Sequence, residues 1–190
     1  RGSTTGELFF DDCRIPSTSL LGAEGSGFTL AMQVLDRSRP GVAAQGLGIA
    51  AGAIEYAGKY LQERHQFGKP LAAQQGLQWM LADMATRTCA ARELLYRVGH
   101  MIDAGDAVPR ATLTRYSAMA KLICTDVAMD VSTDAVQMLG GYGYVQEYPV
   151  ERMMRDAKIT QIYEGTNQVQ RIVIARSLLA ELERAEPIPF

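Results

Sequence analysis

The sequence predicts an all-α protein, an up-and-down antiparallel four-helix bundle that follows a short non-helical segment. Two observations support this fold class. From Phe28 almost to the carboxyl terminus, the residue pattern is that of helices with one apolar face. The Gly and Pro breaks between the helical stretches are short, so consecutive helices are expected to pack side by side in opposite directions. A chain of 190 residues is long enough for one well-packed domain.

The first 25 residues differ in character from the rest. Residues 7–10 form a short strand candidate, and Asp11-Asp12 is a turn signal. Pro16 begins an irregular stretch, and the glycines that follow mark further turns. Because residues 1–3 lead straight into the strand candidate, we expect the chain to begin at a cut edge.

The first predicted helix runs from about Phe28 to Arg64. Pro40-Gly41 is expected to kink or interrupt it, since proline removes a backbone donor and clashes with the preceding turn. The second part of this helix is rich in residues small enough to allow close helix approach, so we expect it to lie at the centre of the bundle. These residues are Ala43, Ala44, Gly46, Gly48, Ala50, Ala51 and Gly52.

Three further helices complete the predicted bundle, together with one short helix. Pro109 suits the first turn of the third helix, and Gly140-Gly141 is a plausible cap at its end. The predicted bounds are about Gln74 to Asp103 for the second helix and Arg110 to Leu139 for the third helix. The short helix is predicted from Pro149 to Lys158, and the last helix from near Thr166 onward.

Composition excludes several function classes. A formal net charge of −2 provides no basic field for nucleic acid or an anionic membrane. No apolar run approaches the roughly 20 residues that span a bilayer. The three cysteines are scattered without a C-x-x-C spacing or a nearby His pair, so no metal site is expected and a reducing compartment is favoured.

Taken alone, the residues that could carry chemistry each have a structural explanation. Glu164, just before Gly165 and Thr166, could be a favourable charge at a helix start with Thr166 as the cap, or a general base on a loop. The Gly140-Gly141 turn could end a helix or let backbone approach a ligand closely. Asp36 and Arg39 would usually form a surface ion pair. Spacing alone leaves these alternatives open.

Taken together and in order, eight sequence blocks resemble the acyl-CoA dehydrogenase family, from the end of its middle β-domain to the end of its carboxy-terminal bundle. The resemblance covers residues 7 to 182. The blocks are Phe9-Phe10-Asp11-Asp12-Cys13-Arg14-Ile15-Pro16, Leu20-Leu21-Gly22 through Gly25-Ser26-Gly27-Phe28, Asp36-Arg37-Ser38-Arg39, Glu63-Arg64-His65-Gln66-Phe67-Gly68, Leu81-Ala82-Asp83-Met84, Gln137-Met138-Leu139-Gly140-Gly141, Arg155-Asp156-Ala157 and Tyr163-Glu164-Gly165-Thr166.

The resemblance implies that Glu164 is the catalytic base. In the family this residue removes the α-proton of an acyl-CoA thioester, while the β-hydrogen leaves as hydride to N5 of FAD and gives a trans-2-enoyl-CoA. One branch of the family carries its base at the position of Ser38 instead, and a serine cannot replace it there. Relatives that oxidise nitroalkanes have Asp in the Glu164 role. The thioester oxygen is stabilised in the family by a ribityl hydroxyl and by the backbone amide of the base.

The resemblance also assigns binding residues. Asp36, Arg39 and Gly165 match positions that contact the acyl-CoA. Positions that match contacts to FAD, several of them to the FAD of a neighbouring subunit, are Arg64, Gln66, Phe67, Gln75, Gln137, Met138, Leu139, Gly140, Gly141, Thr166 and Gln168. A guanidinium such as that of Arg64 pairs well with pyrophosphate oxygens.

The resemblance implies that residues 1–25 are a remnant of the middle β-domain with a linker. It implies that residues 26–185 are the helical bundle and that residues 186–190 are a frayed tail. Family members are about twice this length, so we expect the chain alone to be inactive. The resemblance further implies a place in fatty-acid β-oxidation, an electron-transfer flavoprotein as electron acceptor, and a homo-oligomer that is a dimer or a dimer of dimers. The expected location is the cytoplasm of a bacterium or the mitochondrial matrix of a eukaryote. Two alternatives stay open, an acyl-CoA oxidase and a non-catalytic helical assembly module.

Overall fold

The computed structural model describes residues 3–184 and confirms the all-α bundle. The predicted tail, residues 186–190, lies outside the described residues. Within them, no helix is long and apolar enough to cross a membrane. The helices are α1 Gly27–Glu63, α2 Gln75–Asp103, α3 Arg110–Leu139, the short α4 Val150–Thr160 and α5 Asn167–Glu183.

The predicted interruption at Pro40-Gly41 is not present, because α1 continues through Pro40. A proline in a helix interior forgoes the bond to the carbonyl four residues earlier, at a cost of about 3 kcal/mol. Helix α1 packs chiefly against α3. The burial that this long contact provides outweighs one missing backbone bond.

The small residues of α1 are buried on one face only. Ala43, Gly46 and Ala50 are buried, and a Cβ at Gly46 would lie 3.0 Å from the carbonyl oxygen of Cys124 on α3. Glycine at this position therefore allows the two helices to approach closely. Ala44 and Gly48, which were also expected to be buried, are exposed, because they project from the opposite face of the helix.

The strand candidate at residues 7–10 forms no strand, and the side chains of Phe9 and Phe10 are exposed. A strand requires a neighbour for its backbone N–H and C=O groups, and residues 3–184 supply none for this segment. The strands that do form are two residues each, His65–Gln66 paired antiparallel with Lys69–Pro70. Phe67 and Gly68 turn the chain between them with φ values of 53° and 77°.

Helix α3 lies at the centre of the bundle and contacts α1, α2, α4 and α5. It is also where polar side chains enter the core. Arg115 of α3 forms a buried ion pair with Glu181 of α5. This pair fixes α5 against α3, and the two helices together hold the loop between α4 and α5.

Candidate active site and cofactor cleft

The loop between α4 and α5 carries Glu164 in an unusual backbone conformation. Glu164 and Gly165 have φ values of 53° and 89°, both in the left-handed region. Immediately afterwards Thr166 caps α5, because its hydroxyl oxygen accepts a hydrogen bond of 3.4 Å from the backbone N–H of Val169. The capping interpretation of Thr166 is thus correct, and the loop still directs Glu164 away from the helix start. A strained non-glycine residue of this kind is typical of functional loops.

The carboxylate of Glu164 meets helix α1 at Ser38. The Ser38 hydroxyl donates a hydrogen bond of 2.6 Å to Oε2 of Glu164. Within residues 3–184, Oε1 of Glu164 accepts no hydrogen bond. The backbone N–H of Glu164 likewise makes no backbone hydrogen bond to the rest of this described chain. One carboxylate oxygen is therefore held and the other is available to a ligand, with a free amide donor beside it.

Two buried side chains support the loop from below. Lys121 of α3 donates from Nζ to the carbonyl oxygen of Gly165 at 3.0 Å and to Oδ1 of Asn167 at 2.8 Å. Gln170 of α5 donates from Nε2 to the carbonyl oxygens of Glu164 at 3.2 Å and Gly165 at 2.8 Å. Every one of these bonds ends on the loop or on the first turn of α5, so the backbone around Glu164 is held at several points.

Lys121 is fully buried, and its surroundings act on the pKa of its ammonium in opposite directions. Burial lowers the pKa of its ammonium to about 8, while the carboxylates of Asp126 and Glu164 act in the opposite direction and Arg39 adds to the lowering. Asp126 in turn accepts a bond of 2.7 Å from Nδ2 of Asn167. The positively charged ammonium of Lys121 thus contacts the loop that carries Glu164.

One signal for this support is present in the sequence. Ser117, Lys121 and Thr125 recur every fourth residue of α3, which places three polar side chains on one buried helix face. A lysine on an apolar helix face is usually at a solvated edge, so the pattern alone does not reveal its burial.

Asp36 and Arg39 form an ion pair near the same loop. Nη1 of Arg39 donates to Oδ1 of Asp36 at 3.0 Å, and Arg110 at the start of α3 approaches the other oxygen at 3.3 Å. Arg39 is 4% exposed, and its Nε has no hydrogen-bond partner in the described chain. The pair is therefore more buried than a helix-surface ion pair, and its contact with a substrate stays a prediction.

A separate cleft of about 610 Å³ gathers most of the predicted cofactor residues. Arg64 and Gln66 lie on one side of it, and all five residues 137–141 lie on the other. The guanidinium carbon of Arg64 is 5.3 Å from the centre of the Tyr142 ring. The cleft also contains apolar side chains, namely Leu71, Leu77 and Val145.

Four predicted cofactor residues do not line this cleft. Phe67 is 89% exposed on the hairpin turn, and Gln75 is exposed at the start of α2. Thr166 and the exposed Gln168 lie at the start of α5, next to Glu164. The structure therefore places seven predicted cofactor residues in the cleft and two beside the loop, whereas Phe67 and Gln75 lie at neither. Within the part of the chain described, no three His, Cys, Asp or Glu side chains are grouped so as to hold a metal ion.

Comparison with known proteins decides the family. The sequence profile described as "Acyl-CoA dehydrogenase, C-terminal domain" matches residues 25–179. The chain belongs to the acyl-CoA dehydrogenase family. Cyclohexane-1-carbonyl-CoA dehydrogenase of Geobacter metallireducens is 51% identical over 95% of this chain and 46% of its own length. Acryloyl-CoA reductase (NADH) of Anaerotignum propionicum is 53% identical over 94% of this chain and 44% of its own length.

Solved structures agree with this assignment. Butyryl-CoA dehydrogenase from Megasphaera elsdenii superposes with a TM-score of 0.83 at 50% identity and covers 90% of this chain and 43% of its own. A chain in the structure of the electron transferring flavoprotein of Acidaminococcus fermentans has a TM-score of 0.84 at 55% identity, with coverages of 90% and 43%. PigA in its FAD complex has a TM-score of 0.79 at 30% identity, with coverages of 89% and 43%.

This acyl-CoA dehydrogenase domain thus spans less than half the length of the relatives it matches. The resemblance found in the sequence is confirmed at the level of family and fold. The roles of single residues stay predictions, and the geometry of the loop and the cleft supplies the arguments for them.

Proposed function

We propose that the chain is the carboxy-terminal helical domain of an FAD-dependent acyl-CoA dehydrogenase, in which Glu164 removes the α-proton of the acyl-CoA substrate. The observation that carries this proposal is the state of the Glu164 carboxylate. One oxygen is held by Ser38 and the other accepts no hydrogen bond from residues 3–184. A general base needs a fixed carboxylate with one oxygen free to take a proton.

The backbone beside Glu164 provides the second requirement of this chemistry. Removal of an α-proton moves negative charge onto the thioester oxygen, which must be stabilised by a donor already in place. The N–H of Glu164 makes no backbone hydrogen bond within the described chain and is therefore such a donor. The carboxylate and the backbone N–H both belong to Glu164, so the loop that fixes the proposed base also fixes the hydrogen-bond donor.

The cleft fits part of FAD. The guanidinium of Arg64 would pair with pyrophosphate oxygens, and the cleft's apolar side chains would cover a flat ring. Gly140 has φ 61°, and a Cβ added there would meet nothing within 4 Å, so the backbone can approach a ligand closely. When bound, the flavin supplies the acceptor for the β-hydrogen. The FAD complex of the structurally similar PigA supports this cofactor.

The cleft suggests that FAD is shared between subunits. Arg64 and residues 137–141 line one cavity, and Glu164 is not among the residues that line it. A cofactor that contacts the cleft of one subunit and the loop of another would explain this separation. We therefore propose a homo-oligomer, a dimer or a dimer of dimers.

The relatives bear on the direction of the reaction and on the electron acceptor. The similarity to a chain in an electron transferring flavoprotein structure supports such a flavoprotein as the partner. We further propose a role in β-oxidation and a cytoplasmic location or, in a eukaryote, the mitochondrial matrix. The relative named Acryloyl-CoA reductase (NADH) favours a second candidate, reduction of an enoyl-CoA. The same carboxyl would then deliver the proton, since the two directions share one path. Oxygen uptake with substrate would identify an acyl-CoA oxidase instead.

The test is Glu164→Gln in the FAD-loaded protein that carries this chain, with Glu183→Gln at the exposed end of α5 as the matched control. Glu164→Gln should leave FAD and substrate binding nearly intact and slow flavin reduction by butyryl-CoA about 10² to 10⁴-fold, the usual contribution of a general base. Glu183→Gln should not change the rate. If Glu164→Gln retains more than about a tenth of the rate, another residue is the base.

A further inference from the structure

Lys121 is a buried cation that the proposed reaction does not use directly. Its side chain is fully buried in α3, and its ammonium contacts the carbonyl oxygen of Gly165 and the side chain of Asn167. Burial of a charge costs several kcal/mol unless it is compensated, and an apolar side chain of similar length would avoid that cost. The position of this charge therefore calls for a reason beyond packing.

Satisfying polar groups is not a sufficient reason. The carbonyl oxygen of Gly165 also accepts a bond of 2.8 Å from Gln170, so this acceptor would keep a donor without Lys121. What Lys121 adds is a positive charge next to the loop and a second bond that fixes the peptide between Gly165 and Thr166.

That peptide determines where Glu164 points. The carbonyl of Gly165 ends a turn in which Glu164 and Gly165 are both in the left-handed region, a conformation that is unfavourable at a non-glycine residue such as Glu164. Such a conformation persists only when its surroundings hold it. Lys121 holds it from α3 and Gln170 holds it from α5, so the turn is gripped by two helices.

We propose that Lys121 is a positioning residue for Glu164: its ammonium holds the Gly165 carbonyl and thereby fixes the left-handed turn that directs the catalytic carboxylate. This inference rests on the proposed function of Glu164 as the base. The interaction is charge-assisted and lies inside the protein, where such a bond is stronger than at the surface.

The test compares Lys121→Met with Lys121→Arg and with Lys158→Met, a control at an exposed lysine of α4. In the FAD-loaded protein, Lys121→Met should slow flavin reduction at saturating butyryl-CoA about 10 to 100-fold, because a small misplacement of a reacting group has an effect of that size. FAD content and the butyryl-CoA concentration at half-saturation should change less than about twofold. Lys121→Arg, which keeps the charge, should recover part of the rate, and Lys158→Met should match the wild type.

The decisive measurement repeats Lys121→Met in the Glu164→Gln background. If Lys121 acts through Glu164, the second substitution should add almost no further loss. An equal fractional loss in both backgrounds, or an unchanged rate in Lys121→Met alone, would overturn the proposal. A fast Glu164→Gln variant would instead reject the proposed base, so the two failures are distinguishable. If Lys121→Met does not fold, Lys121→Gln takes its place, because glutamine keeps an N–H donor without the charge. Its rates in the two backgrounds are interpreted in the same way.

Discussion

The Glu164 loop and the Arg64 cleft differ in how completely one chain builds them. Around the loop, α1 contributes Ser38, α3 contributes Lys121 and α5 contributes Gln170, and each makes a hydrogen bond of 2.6 to 3.2 Å to the loop. The cleft is open, and Arg64 packs against the ring of Tyr142 there. The loop is thus preorganised within this chain, whereas the cleft is proposed to be one part of a site shared between subunits.

This difference explains why the two regions should respond differently to substitution. A preorganised loop has little freedom to adapt, so a change in it disturbs the structure of the chain itself. An open cleft tolerates changes of exposed side chains in the free chain better, and their main effect is seen when a ligand binds. The comparison can be tested with matched substitutions in the two regions.

The largest effect on the stability of the chain is expected at Gly165. Gly165→Ala places a Cβ at φ 89° and 2.8 Å from Nε2 of the buried Gln170, so backbone strain and a contact act together. The free energy of unfolding should fall by roughly 3 kcal/mol. Gly140→Ala in the cleft has φ 61° and ψ −136°, a conformation that L residues rarely adopt, but nothing within 4 Å, so strain alone should lower it by about 2 kcal/mol.

Urea denaturation of both variants measures this contrast, with Gly99→Ala in α2 as a control that lacks both strain and contact. Alanine at Gly99 should stabilise the chain by about 0.5 to 1 kcal/mol, because glycine is unfavourable in a helix interior. Equal destabilisation by Gly165→Ala and Gly140→Ala would show that the loop is no more tightly built than the cleft.

A smaller effect, confined to cofactor binding, is expected at Arg64. Arg64→Ala should weaken FAD retention about 10 to 100-fold in the assembled protein, which corresponds to the loss of a charge-assisted hydrogen bond. Oligomer stability should fall with it, because a ligand stabilises the assembly it bridges. Arg152→Ala, at an exposed arginine of α4, is the control. Full flavin content in a fully assembled Arg64→Ala oligomer would remove the idea of a shared site.

Much of the fold could be predicted from the sequence because its helices are bounded by local signals. The observed bounds of α3, Arg110–Leu139, match the prediction, since Pro109 and Gly140 act within one turn. Of the two outcomes predicted at Pro40, a kink or an interruption, the interruption is wrong, because the packing of α1 against α3 is a tertiary effect. Residues 7–10 misled the prediction because strand formation depends on a partner outside the segment.

The site was predictable only in part for the same reason. The motif that contains Glu164 identified the loop, and the structure shows in addition that Ser38 donates a hydrogen bond to Glu164. Lys121 was not predicted, because its proposed role depends on a hydrogen bond to Gly165, which is 44 residues away in the sequence. Sequence periodicity shows which residues share one face of a helix, but it does not show which residues of another helix pack against that face.

The most direct test of the contrast between loop and cleft uses residues 1–190 by themselves. The purified chain is mixed with excess FAD, free flavin is removed, and circular dichroism and the visible spectrum are recorded. We expect a folded, self-associating helical protein, since the bundle has its own core. We expect no stoichiometric flavin and no reaction with acyl-CoA, because one chain is proposed to supply only part of the cofactor site. A stoichiometric yellow protein that bleaches with butyryl-CoA or a longer acyl-CoA would contradict it.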